Sequence, residues 1–320
     1  MAITVAIGPE KDSPSWRWIG QDMAKELRKR YAVCEFNTDA LPRAQVIIYI
    51  KALPSIDHFR RLKEQGSRVI YLPIDHFRSR LHIARSGRRL RLCDLIAVHS
   101  PDLLPYFRRF SVTTSVDHHG RFFLPEISAF KESGYALWIG AVQHLPFLLL
   151  YLRSNRVPIA IRLLTDRDNG LGRKIAIEQA KSLGIEMDFR DHQINGLDAF
   201  VWSPQLQAEM MCQAKAAIDI KGSDFNQLMK PPTKAQQFVC SGIPLAMNPS
   251  GPVRYFRQLG LAVPEPTDSS WLTVDYYMEV SRIAASLRIR LTAESVGAEF
   301  CRLVEIVTRG ARIVDSALAQ

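Results

Sequence analysis

The chain opens with "ITVAIG" (3–8), a short apolar run ending at Gly8, and the pattern it begins recurs through most of the length. Short runs that are apolar at nearly every position read as strands buried on both faces. In the first part of the chain these are "AVCEF" (32–36), "AQVIIYI" (44–50), "RVIYLPID" (68–75), "DLIAVHS" (94–100) and "SVTTSVD" (111–117). Between them stand segments with helical spacing. In "EKDSPSWRWIGQDMAKELRKRY", Ser13 takes the N-cap, Pro14 lies in the first turn, and Trp18, Met23 and Leu27 share a face. Lys and Arg fill its last turn, where the helix dipole favours cations. "SIDHFRRLKEQG" (55–66) ends on a Gly C-cap, a basic helix follows, and "PDLLPYFRRF" (101–110) is the next.

A Lys-Glu-Ser-Gly turn (131–134) restarts the pattern. "YALWIGAV" (135–142) is a strand ending near Gly140, followed by an apolar helix at 144–153, the strand "IAIRLLTD" (159–166) and the helix "GRKIAIEQAKSLG" (172–184). Next come the strand "IEMDFRD" (185–191), the helix "SPQLQAEMMCQA" (203–214) and the strand "AAIDI" (216–220). "KPPTKAQQFVCSGIPLAMNP" (230–249) then supplies a helix, a Gly-x-Pro stop and the strand "PLAMN". Alternating strands and helices predict parallel βαβ units. The expected architecture is α/β, with two doubly wound parallel-sheet units joined near 124–134. Such folds bind ligands beyond the carboxyl ends of their strands, and two units together suggest a cleft between them.

The tail carries two more helical runs, "WLTVDYYMEVSRIAASLRIR" and "AESVGAEFCRLVEIVTRGARIV". In the second, Val296, Phe300, Leu303, Val304 and Val307 form one apolar stripe that must be buried.

Charge and cysteines narrow the setting. The net charge is +10, and much of the excess lies in "RRLK" (60–63), "RSRLHIARSGRRLRL" (78–92) and Arg108-Arg109, which suits polyanionic partners. The five cysteines are scattered with no C-x-x-C pair, which predicts reduced thiols and no metal cluster. No apolar stretch approaches the roughly 20 residues of a membrane span, and the N-terminus shows no signal-peptide pattern. A soluble, cytoplasmic protein is expected.

Residues 135–264 follow a specific order: "LWIGAV", "RLLTD", a capped helix into "AKAAIDI", a variable loop, Lys-Pro-Pro-Thr-Lys, a helix, Gly-x-Pro and a strand. This resembles the donor-binding half of the GT-B glycosyltransferases, above all the retaining, nucleotide-sugar-dependent group. The resemblance implies two Rossmann-like domains facing a cleft: an acceptor domain at 1–130, onto which a helix at 295–320 packs back, and a donor domain at 131–294. It implies a nucleoside-diphosphate-sugar as donor substrate and no tightly bound cofactor or metal.

For donor binding the resemblance points to Lys230, Thr233, Lys234, Gln237, Gly140, Thr165 and His118, with His119 beside it. Lysines around a helix N-terminus would meet the charge that grows on a departing diphosphate. Thr233 would cap that helix, and Gly242 would close it ahead of Pro244. Gln237 stands where the family places a ribose-holding Glu, and a neutral amide binds hydroxyls without a carboxylate's charge assistance. In the amino half, Asp75 and His76 follow the fourth strand and have the chemistry for general-base work or for holding sugar hydroxyls. Gly8, Ser13 and Ser15, in the loop expected after the first strand, would contact the acceptor.

The implied acceptor is a glycan, lipid-linked or surface polysaccharide, with an anionic membrane surface as a partner for the basic half. Two alternatives stand beside this reading: a catalytically weakened GT-B-like binding protein, marked by Gln237, and a glycosyltransferase acting on modified nucleic-acid bases. A plain nucleic-acid binder finds no support, because no aromatic-basic run or DNA-binding motif is present.

Overall fold

The computed structural model describes residues 3–11, 13, 15–121, 124 and 129–309. The expected place of Pro14, part of the linking stretch and residues 310–320 of the tail lie outside the described residues.

Along the chain the elements are β1 (Thr4–Glu10), a π-helical turn (Trp16–Gln21) running into α1 (Asp22–Arg28), β2 (Ala32–Asn37) and β3 (Val46–Ile50). There follow α2 (Ile56–Glu64), β4 (Arg68–Leu72), α3 (Arg80–Arg85), α4 (Gly87–Leu90), β5 (Leu95–Val98), α5 (Leu104–Phe107) and β6 (Thr113–Ser115). The second series is β7 (Ala136–Ile139), α6 (Leu145–Ser154), β8 (Ile161–Thr165), α7 (Gly170–Ser182), β9 (Phe189–Arg190), β10 (Gln193–Ile194), β11 (Leu197–Val201), α8 (Pro204–Gln213) and β12 (Ala216–Asp219). The last elements are α9 (Phe225–Leu228), α10 (Thr233–Cys240), β13 (Leu245–Met247), α11 (Gly251–Gln258), α12 (Val274–Arg290) and α13 (Ala293–Arg309).

Two compact units result. The first comprises the chain up to residue 121, residues 224–231 and the chain from 290 onward; the second comprises 122–223 and 232–289. This division is finer than a single boundary at 130/131, because α9 and its flanks, embedded in the second half of the sequence, pack with the first.

The first unit is built on a six-stranded parallel sheet in the order β2-β1-β3-β4-β5-β6. Its central strands are apolar at almost every position because both faces are covered. On one face Val5, Ile48 and Ile70 meet Met23 and Leu27 of α1 together with Val296, Phe300, Leu303, Val304 and Val307 of α13. On the other, Ile47, Val69 and Ile96 meet Phe59 and Leu62 of α2, Ile83 of α3 and Phe107 of α5, with Phe225 and Met229 packed against them. Each fully buried Leu or Phe contributes about 1.5–3 kcal/mol. Helices α2 and α3 start on side-chain caps: Ser55 accepts from His58 N and Ser79 from His82 N.

The second unit holds a seven-stranded sheet in the order β13-β12-β7-β8-β11-β10-β9, parallel from β13 to β11. Here the sequence reading needs correction. The run 185–191 forms only the two-residue strand β9, paired antiparallel at the outer edge. The outer parallel neighbour of β8, opposite β7, is β11, a strand the sequence pattern does not give, because Phe200 and Val201 are 37% and 48% exposed and the segment lacks a buried strand's continuous apolar run. The signal for it was the Asn195-Gly196 pair, at φ 50° and 77°, which makes the hairpin turn between β10 and β11.

Candidate functional site

In the second unit, the carboxyl ends of β7 and β8 and the start of α10 carry the candidate donor residues. Gly140 directly follows β7, and its amide donates to the Leu164 carbonyl of β8 at 3.1 Å. No side chain fits at Gly140. A Cβ there would lie 2.5 Å from the Trp138 ring and 3.1 Å from Lys234 Nζ. The Lys234 ammonium also sits over that ring, 5.6 Å from its centroid. Gly140 and Lys234, far apart in sequence, are therefore brought together. Thr165, the last residue of β8, is buried, and its hydroxyl donates to Asp166 Oδ1 at 3.4 Å. The same carboxylate accepts from Val142 N at 2.6 Å, so Thr165 belongs to a clamp that fixes the turn after Gly140.

The start of α10 corrects one expectation. Thr233 is not the cap: Pro232 occupies that position, and no side chain caps the helix. Thr233 already has helical geometry at the first position, where its hydroxyl cannot turn back to the amides of the next residues. The two glutamines also separate. Gln236 is buried, and its side-chain amide donates to Tyr255 Oη at 2.9 Å, whereas Gln237 is only partly covered and its main-chain carbonyl accepts from the Ser241 hydroxyl. Lys230 lies in the 224–231 piece that packs with the first unit, while Lys234 belongs to the second.

In the first unit, Asp75, His76 and a residue the sequence reading passed over, His99, line one cleft at the carboxyl ends of β4 and β5. Asp75 is held at φ 48°, a left-handed conformation uncommon outside glycine, and its Oδ1 is buried with no hydrogen-bond partner among the described residues. Burial, with His82 and nearby cations, pushes the His76 pKa down to about 4, so the ring is neutral at physiological pH. His99 is also buried, and burial lowers its pKa while Asp75 opposes the shift. Its position immediately after a fully apolar strand was the available signal.

His118 is buried with its ring 5.7 Å from that of His99, and burial holds it well below the usual histidine range. His119 is engaged structurally: its ring nitrogen lies 3.0 Å from Asp22 Oδ2, and its carbonyl accepts from Trp18 Nε1. Gly8 does not end the first strand. It lies within β1, where a side chain would begin 2.6 Å from the Phe36 carbonyl oxygen, so it permits close packing and offers no loop amide. Ser13 Oγ accepts from Trp16 N at 3.3 Å, as a capping residue does, and lies 3.3 Å from Ser15 Oγ. Among the described residues, no three His, Cys, Asp or Glu side chains are grouped to hold a metal ion.

No family profile and no curated protein matches the sequence. Solved structures do match its architecture. HepE of Anabaena, crystallised with UDP and glucose, is 12% identical with a TM-score of 0.59, covering 95% of this chain and 99% of its own. A glycosyltransferase from Rickettsia africae is 10% identical with a TM-score of 0.58, covering 96% of this chain and 99% of its own. AviGT4, a glycosyltransferase of avilamycin A biosynthesis, is 8% identical with a TM-score of 0.57, covering 97% and 99%. The fold is GT-B. In a GT-B chain the two parallel sheets found here are the two Rossmann-like domains, and the paired Gly140 and Lys234 lie in the carboxyl-terminal one.

Proposed function

We propose that this protein is a glycosyltransferase that moves a sugar from a nucleoside-diphosphate-sugar to a hydroxyl of a glycan, lipid-linked or surface polysaccharide, with retention of configuration and without a tightly bound metal. The observation that carries the reading is the Lys234 ammonium held over Gly140, beside a helix start with no side-chain cap. A cation and backbone amides at the carboxyl edge of a parallel sheet favour an anionic group there. The neighbour HepE, of the same fold, was crystallised with UDP and glucose.

In this mechanism the bond from the sugar to the diphosphate breaks, and a bond from the sugar to the acceptor oxygen forms. Lys234 and the first amides of α10 meet the charge that develops on the departing diphosphate. Lys230, Thr165 and Gln237 are further donor contacts in this reading, with Gln237 toward the ribose. In this reading Asp75 holds a sugar hydroxyl and accepts the acceptor's proton. His76, neutral at physiological pH, serves as a hydrogen-bonding group. His118, Ser13 and Ser15 remain candidate contacts to donor or acceptor.

Exposed Arg85, Arg88 and Arg109 supply positive charge for docking at an anionic membrane surface from the cytoplasmic side. No helix among the described residues is long and apolar enough to cross a membrane. One observation favours a second reading, that of a weakened nucleotide-binding relative: Gln237 stands in the place of a carboxylate.

A thermal-shift panel of nucleoside diphosphates, followed by donor-sugar hydrolysis, tests both. Stabilisation by one nucleotide with turnover supports the enzyme, and stabilisation without turnover supports the weakened relative. A flat panel overturns both.

A further inference from the structure

The amino ends of β1, β3 and β4 open onto a separate cleft of about 400 Å³, lined by Thr4, Arg43, Gln45, Gln65, Gly66 and Ser67. Small-molecule sites typically enclose roughly 300–1,000 Å³. The cleft stands at the opposite end of the sheet from Asp75. The five residues of β4, at about 3.3 Å each, put roughly 16 Å between the two ends. A molecule held there is out of reach of chemistry at the carboxyl ends of the strands.

Local folding uses up hydrogen-bond acceptors around this cleft and leaves donors. The Leu62 and Lys63 carbonyls at the end of α2 accept from the Ser67 and Gly66 amides. The Ala44 carbonyl accepts from the Ser67 hydroxyl at 2.7 Å, and the Gln45 carbonyl from Arg68 N at 2.8 Å. Thr4 and Gln45 clamp each other: Thr4 N donates to Gln45 Oε1 at 3.1 Å, and Gln45 N to Thr4 Oγ1 at 3.0 Å. With Oε1 engaged, the Gln45 side chain has its two Nε2 hydrogens left to offer. The guanidinium of Arg43 and the side-chain amide of Gln65 are exposed, and neither has a hydrogen bond or ion pair among the described residues.

The chemistry of the lining narrows the ligand. Arg43 is its one cation, and it holds no carboxylate. A planar fork of N–H donors on a permanent charge matches the paired oxygens of a phosphate or carboxylate. No aromatic ring lines the cleft, so a nucleobase finds nothing to stack on. Beyond its chain neighbours, no atom lies within 4 Å of where a Gly66 side chain would begin, so the space over that turn is open.

We propose that this cleft is a second binding site, for a small polar oxyanion: Arg43 holds its phosphate or carboxylate group, and Gln45 and Gln65 donate to oxygens on the rest of the molecule. The site stands whether or not the protein transfers sugars.

The test is saturation-transfer NMR on the full-length protein with glucose 6-phosphate, glucuronate and glucose as probes. At least one of the two anions is expected to bind, and glucose far more weakly. Binding of glucose 6-phosphate alone, displaced by inorganic phosphate, makes it a phosphate site; binding of glucuronate alone makes it a carboxylate site. Arg43→Gln is expected to weaken the anion about tenfold or more, and Arg43→Lys, which keeps the charge without the fork, less. Gln65→Ala should cost about two- to tenfold. Both side chains are exposed, so the variants should fold, and the thermal shift given by nucleoside diphosphates should be the same in Arg43→Gln as in the unaltered protein.

Unchanged anion binding in Arg43→Gln would overturn the proposal, as would no binding of either anion or binding of glucose as tight as theirs. Anion binding lost in Lys234→Ala but kept in Arg43→Gln would show that the probes occupy the diphosphate site instead, and would equally end it.

Discussion

Lys234 Nζ lies 3.1 Å from the point where a side chain on Gly140 would begin, and the Trp138 ring occupies the rest of that space at 2.5 Å. A glycine after β7 and a lysine on α10 thus share one small volume. Gly140→Ala is expected to cost about 1–3 kcal/mol, because the methyl must displace a buried indole. Denaturant melts check the stability. The same variant should weaken nucleoside diphosphate binding by moving the ammonium.

Lys234→Ala is expected to weaken nucleoside diphosphate binding roughly ten- to a hundred-fold, the usual weight of a charge-assisted contact. Lys230→Ala should also weaken it if both lysines meet the diphosphate. Calorimetric titrations of both variants measure this, and unchanged affinity in both would remove the phosphate site.

The two glutamines are expected to behave differently. Gln236→Ala breaks a buried hydrogen bond to Tyr255 and should lower stability by about 1–3 kcal/mol. Gln237→Glu should retain or tighten nucleotide binding, and Gln237→Ala should weaken it. A folded Gln237→Glu protein that no longer binds would mean that this position does not face the ribose.

Burial holds the pKa of His76 at about 4 and lowers those of His99 and His118. The unfolded chain, with histidines near 6.5, therefore binds more protons than the folded one below neutrality. The stability these histidines contribute is complete above about pH 6.5 and is lost as pH falls toward 4. Urea melts across that range should show the decline, and His76→Phe should make it shallower. An NMR titration placing the His76 midpoint near 6.5 would contradict this account.

Phe300 is 1% exposed in the core shared by α13, α1 and the first sheet. Phe300→Ala is expected to cost about 3–5 kcal/mol. A protein ending before residue 293 should lose more, because the apolar faces of α1 and the first sheet would meet water. A melting temperature unchanged by Phe300→Ala would show that α13 adds nothing to that core.

Local patterning alone determined most of the elements. Strands buried on both faces are apolar at nearly every position, so β3, β4 and β5 announce themselves, and the stripe from Val296 to Val307 requires a partner surface. Serine caps at Ser55, Ser79 and Ser203 are likewise local chemistry, legible one turn at a time. Half-exposed β11 was not, because an edge-like strand is only weakly patterned.

What the tertiary structure decided is which distant groups meet. No spacing in the sequence ties Lys234 to Gly140, or shows that residues 224–231 pack with the first unit and bring the Met229 carbonyl to His99. Thr233 became a first-turn residue because Pro232 took the cap. His99 became a candidate only when burial left its Nδ1 without a donor among the described residues. Hydrophobic periodicity is a property of neighbours along the chain, whereas the pairing of buried polar atoms is settled only once the chain has closed around them.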